Sequence, residues 1–133
     1  MPRNIQGYAV IWGSPTQRDA YSNFFDRSLP PTLNLRLPVK LCFDHNYALG
    51  TIGEANYLWP DQIGICYSAA IYERRTKLYD QIIDQIDRHL LYTSSAATTG
   101  TIDKDGRIVD WRLRELSLTP RPAEKRMRPV VFT

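Results

Sequence analysis

The stretch from Leu78 to Gly100, LYDQIIDQIDRHLLYTSSAATTG, changes periodicity part-way along, and that change decides how the rest of the chain is read. Leu78, Ile82, Ile83, Ile86 and Leu90 recur at helical spacing, with Asp80, Asp84 and Asp87 off that face. A helix from Glu73 to Leu90, docking one apolar stripe on a core, is therefore expected. From Leu91 the character differs. Tyr92, Thr93, Thr98 and Thr99 favour extended backbone, and the small Ser94, Ser95, Ala96 and Ala97 between them let another group approach closely. A hydroxyl with room beside it makes Ser94 a candidate nucleophile, provided a base elsewhere in the chain takes its proton. The candidate base is His45.

Before the helix, Ile5–Trp12 reads as a strand ended by the turn-prone Gly13-Ser14-Pro15. Gln17 to Pro38 carries Pro30, Pro31 and Pro38 among scattered aromatics and leucines, so an irregular crossing is expected. Val39–Phe43 alternates as a strand and delivers Asp44-His45-Asn46 to its end, where a side chain can reach solvent. Leu49–Trp59, bent around Gly50 and Gly53, turns at Pro60-Asp61-Gln62 and pairs as a hairpin with Ile63–Ile71. After the helix, Leu91–Thr99 returns as a strand and Asp103-Lys104-Asp105-Gly106 makes a turn. In Ile108–Leu118 the apolar phase runs through Val109, Trp111 and Leu113, then shifts to Leu116 and Leu118, which calls for a bulge near Arg114-Glu115. Beyond Thr119-Pro120-Arg121-Pro122-Ala123 the composition turns basic and proline-broken, so the expected division is a domain over 1–123 and a basic tail over 124–133.

A chain of 133 residues, 43% hydrophobic and 23% charged, suits one soluble globular domain. Its net charge of +3 is scattered, with local concentration only around Arg112, Arg114, Arg121, Lys125, Arg126 and Arg128. That balance argues against a dedicated nucleic-acid binder. Cys42 and Cys66 lie in apolar runs without metal-ligand spacing, which fits two buried thiols in a reducing compartment and neither a disulfide framework nor a metal site. No segment approaches the roughly 18 apolar residues of a membrane span, and no signal-peptide run opens the chain.

Five pieces recur in one order: Gly7-Tyr8-Ala9 in the first strand, His45 ending a hydrophobic strand, Ile52-Gly53, Ser94-Ser95-Ala96 after the helix, and Glu115-Leu116-Ser117-Leu118-Thr119-Pro120 with Pro122-Ala123. In this order the chain resembles the prohead proteases of tailed bacteriophages, capsid-maturation serine proteases distantly akin to the herpesvirus assemblins. The resemblance implies an α+β fold, a compact and mostly antiparallel β-barrel flanked by one principal helix and minor helical segments. It implies a serine endopeptidase without cofactor, with Ser94 as nucleophile, His45 as base and Glu115 as third member, Ser95 being the alternative to Ser94. The family often has a glycine after the serine pair, where this chain has Ala96. Scaffold and major capsid segments, and the chain itself, are the implied substrates. The implied setting is the immature capsid in the bacterial host cytoplasm, with a homodimer, no membrane and no specific nucleic acid.

Blander readings stand beside these. Ser94 and Ser95 are also the small residues that a helix–sheet contact would use, and Glu115 would pair on a strand surface with Arg112 or Arg114. Asp44 adjoins His45, but successive side chains on a strand point to opposite faces, so Asp103 and Asp110 are better substitutes for Glu115 than Asp44 is. His89, late in the helix, suits the helix C-terminus and serves as a control. Arg112, Arg114 or backbone amides near Ser94 are candidate donors to an oxyanion. Two competing functions remain, a non-catalytic β-barrel that binds scaffold or capsid protein and a small nucleic-acid-binding barrel.

Overall fold

The computed structural model describes residues 3–133, with only the backbone of residues 98–100. The described strands, β1 (Arg3–Ile11), β2 (Thr32–Leu33), β3 (Val39–Phe43), β4 (Gly53–Pro60), β5 (Gly64–Ile71), β6 (Tyr92–Ile102), β7 (Ile108–Thr119) and β8 (Val131–Phe132), form one mixed sheet, and α1 (Lys77–Asp87) packs on it. The expected hairpin is β4 with β5, antiparallel, with a register shift between Ala55 and Tyr57 that bends β4. β1 lies antiparallel on the far side of β5, and β3 on the far side of β4. β7 joins the sheet through parallel pairing with β3, and β6 runs antiparallel along the other edge of β7.

Leu41, Leu116 and Leu118 are fully buried, and with Ile5, Tyr67 and Ile71 they form the centre of the core. The phase shift in β7 is a bulge at Arg114, since Ala96 pairs with Glu115 while Ala97 pairs with Leu113. Leu113 keeps the core side before the bulge and Leu116 after it, so Arg114 and Glu115 come to line the same outer hollow in succession.

Three expectations are corrected. First, the pairings leave the sheet open, although a closed barrel is expected from the resemblance. β1 and β6 come close without forming a ladder among the described residues, and a cavity of about 320 Å³ lies between Ala9–Ile11 and Thr93–Ser95, walled by Phe24, Trp111 and Met127. Second, the helix is shorter than the stretch Glu73–Leu90. Thr76 caps it by accepting from the Tyr79 amide, and it ends at Asp87 because His89 takes a left-handed conformation (φ 59°). Ile82 and Ile86 are buried as the spacing requires, while Leu90 is 47% exposed and Leu91 takes the interior position. Third, residues 124–133 are not a free tail. Arg126 donates to the Trp12 carbonyl and to Glu124, Val130 is fully buried with its amide on the Leu91 carbonyl, and β8 pairs with Ile5 and Gln6 of β1. Gly7 makes this possible. A Cβ there would stand 2.8 Å from the Val130 side chain and 3.1 Å from the Tyr67 ring.

Candidate functional site

β3 ends against β7, and the turn that follows is built from that pairing. The Asp44 amide donates to the Leu118 carbonyl at 2.8 Å, after which Asp44 (φ 51°) and His45 (φ 52°) both occupy the left-handed region. Two non-glycine residues in succession there are unfavourable unless their surroundings hold them. β7 supplies the hold through two hydroxyls. Thr119 Oγ1 donates to Asp44 Oδ1 at 2.7 Å, and Ser117 Oγ accepts from the His45 amide at 2.7 Å.

The turn lays the imidazole beside Glu115, with His45 Nδ1 2.7 Å from Glu115 Oε1. An ionised carboxylate only accepts, so Nδ1 carries the proton of that contact, and in the neutral ring Nε2 is left as the free base. The histidine side chain is 39% exposed and the glutamate 5%. A buried carboxylate behind a half-exposed imidazole is an arrangement that orients the ring and fixes its tautomer. Tyr47 lies across Glu115 at 3.5 Å from Oε1, and the carboxylate pushes its phenol pKa up. Glu115 Oε2 is buried without a hydrogen-bond partner. Cys42 shares this hollow, and burial, then contact with Glu115, pushes its thiol up to about 12.

The strand pairing decides which serine faces this pair. Directly opposed residues in an antiparallel ladder project to the same face, and Ser94 is opposed to Ser117 and Ala96 to Glu115. Ser94 thus shares the face of Ser117, Glu115 and the His45 turn, whereas Ser95, opposed to the fully buried Leu116, takes the other. Ser94 is 8% exposed, and among the described residues it makes no hydrogen bond to His45.

The other candidates lie apart. Asp103 is occupied with its own turn, accepting from the Asp105 and Arg107 amides, and Asp110 pairs with Arg112 at 3.5 Å. Asp44 is held by Thr119. His89 follows α1 with its amide on the Ile86 carbonyl. Arg112 and Arg114 are exposed on the outer face. Among the described residues no group of three or more His, Cys, Asp or Glu is arranged to hold a metal ion. Ser117, Thr119, Tyr47 and Cys42 went unnoticed as site residues in the sequence. The signal for Ser117 and Thr119 was their i+2 and i+4 spacing from Glu115 on one strand.

No family model and no curated protein sequence matches the chain. Among solved structures the fold is similar to that of the KSHV protease in complex with a hexapeptide phosphonate inhibitor, with a TM-score of 0.58 at 13% sequence identity over 100% of this chain. The chain spans 65% of the length of that one. The likeness is one of fold.

Proposed function

We propose that the chain is a serine endopeptidase of the prohead-maturation type, with Ser94 as nucleophile, His45 as general base and Glu115 as the group that orients and stabilises the histidine. The observation that carries this reading is the 2.7 Å contact of His45 Nδ1 with the buried Glu115, which leaves Nε2 free on the face that Ser94 shares. Substrate closes the remaining gap, since catalytic hydrogen bonds are often long in a free enzyme and tighten in the complex. Ser94 Oγ attacks the peptide carbonyl carbon while Nε2 takes its proton. The tetrahedral oxyanion collapses, the C–N bond breaks, and Nε2 returns the proton to the leaving amine. Water repeats the sequence on the acyl-enzyme. Backbone amides near Ser94, or Arg112 and Arg114, supply the oxyanion donors. An extended segment of scaffold or capsid protein, or of a second copy of the chain, lies across β6 on the face that carries Ser94 and His45. The homodimer and the capsid interior of an infected bacterium belong to the same proposal.

The second reading, a non-catalytic module binding scaffold or capsid protein, is favoured by the missing Ser94–His45 hydrogen bond and the low exposure of Ser94. One experiment separates the two. A peptidyl phosphonate, the inhibitor class bound in the KSHV protease structure, should label wild type at Ser94 by peptide mapping. It should fail on Ser94→Ala and His45→Ala and succeed on His89→Ala. Label on Ser95 would move the nucleophile, and no label on a folded wild type would leave the binding module.

A further inference from the structure

The outer face that carries His45 and Glu115 is also where cations gather, most of them without an ion pair among the described residues. Two adjoining hollows open on it. One, of about 540 Å³, is lined by Lys40, Tyr47, Ala96, Arg114 and Glu115 among others. The next, of about 390 Å³, is lined by Arg36, Lys40, Arg112 and Arg114 with neutral neighbours. Lys40 and Arg114 belong to both. All four cations are exposed, and only Arg112 holds an ion pair, with Asp110 at 3.5 Å; among the described residues Arg36, Lys40 and Arg114 hold none. The carboxylates facing them are Asp110, Glu115, which is turned to His45, and Glu54, which is opposed to Lys40 across β3 and β4 and accepts from the Tyr72 hydroxyl. Positive charge is in excess here, in a concavity that raises its local potential.

Register places this excess relative to Ser94. Lys40 is the β3 partner of Glu115, Ala96 is its β6 partner, and the bulge sets Arg114 beside it. Ser94 lies two residues along β6 from Ala96, roughly 7 Å away at strand spacing. A chain whose scissile carbonyl meets Ser94 and which runs along this face passes over the small Ala96 and Ala97. Two to four residues from the cut, it brings its side chains to Lys40 and Arg114.

We propose that this face reads acidic side chains of the cleaved chain, with Lys40 and Arg114 determining specificity and Arg112 and Arg36 extending the contact outward. The proposal rests on the serine-peptidase reading, which is what brings a polypeptide here. Phosphate groups of a nucleic acid share the anionic chemistry, but the cations form a patch of four beside the serine and not the long track that a strand of nucleotides uses.

The test uses three peptides of one sequence with Glu, Gln or Lys two to four residues from the scissile bond. Binding is read by fluorescence anisotropy on Ser94→Ala, and cleavage as kcat/KM on wild type. The expected order is Glu over Gln over Lys in both. Glu should lead Gln by about tenfold at low ionic strength, and the gap should narrow with salt as screening requires. Lys40→Glu with Arg114→Glu should invert the order, whereas Lys104→Glu, the same charge change in the β6–β7 turn, should leave it. Equal binding and cleavage of the Glu and Gln peptides overturns the proposal, as does failure of all three to bind. Displacement of the Glu peptide by a single-stranded oligonucleotide of higher affinity overturns it in favour of nucleic acid. Binding in the expected order without cleavage or phosphonate labelling keeps an acidic-peptide site and removes only the peptidase reading.

Discussion

His45 is held at three points: its backbone in a left-handed turn, its amide on Ser117 and its ring on Glu115. The sequence put the histidine at a strand end, and the resemblance paired it with Glu115. Residues alone left Asp103 and Asp110 as substitutes, because contacts spanning some 70 residues depend on which strands become neighbours. On the proposed serine-peptidase mechanism the carboxylate stabilises the imidazolium that forms during attack, so Glu115→Gln should lower kcat more than it raises KM. Steady-state kinetics of both proteins check this, with thermal unfolding as the fold control. Near-normal turnover in the variant would take Glu115 out of the site.

At the scale of elements, the bulge in β7 and the strand β8 do the positioning. The bulge was legible, because an apolar phase that slips by one residue has no other economical explanation in a strand. The fate of residues 124–133 was not. Prolines and basic residues have the composition of a tail, yet Met127 and Val130 are 7% and 0% exposed and Arg126 is tied to Trp12. Side chains of this size stabilise by about 1.5–3 kcal/mol each when buried. Truncation after Glu124 should therefore destabilise the protein by more than about 3 kcal/mol, measured by urea unfolding. A change below about 0.5 kcal/mol would restore the free tail.

The whole molecule carries a group of acids whose protonated forms the fold favours. Burial, then contact with Glu115, pushes Cys42 up to about 12, and burial, then the hydrogen bond to Asp61, pushes Tyr8 up to about 12; burial raises Cys66 as well. The unfolded chain releases thiol protons near the ordinary value of 9.0 while the folded one keeps them, so it binds fewer protons between about pH 9 and 12. Stability should thus be level to about pH 9 and fall above it, and Cys42→Ala should make that fall shallower. Urea unfolding at pH 7, 9 and 10.5 checks the slopes, and identical slopes would show that the Cys42 proton is not linked to folding. The sequence by itself determined what local rules can carry: the docking stripe of α1, the β4–β5 hairpin, the turn at Asp103–Gly106, the bulge, and the strand end that bears His45. Tertiary structure alone decided that β3 pairs parallel with β7, that the sheet stays open between β1 and β6, and that Ser117 and Thr119 pin the His45 turn. Periodicity reports which face of an element is apolar, whereas the choice of neighbour depends on burying all those faces at once, a property of the folded chain that no single window contains.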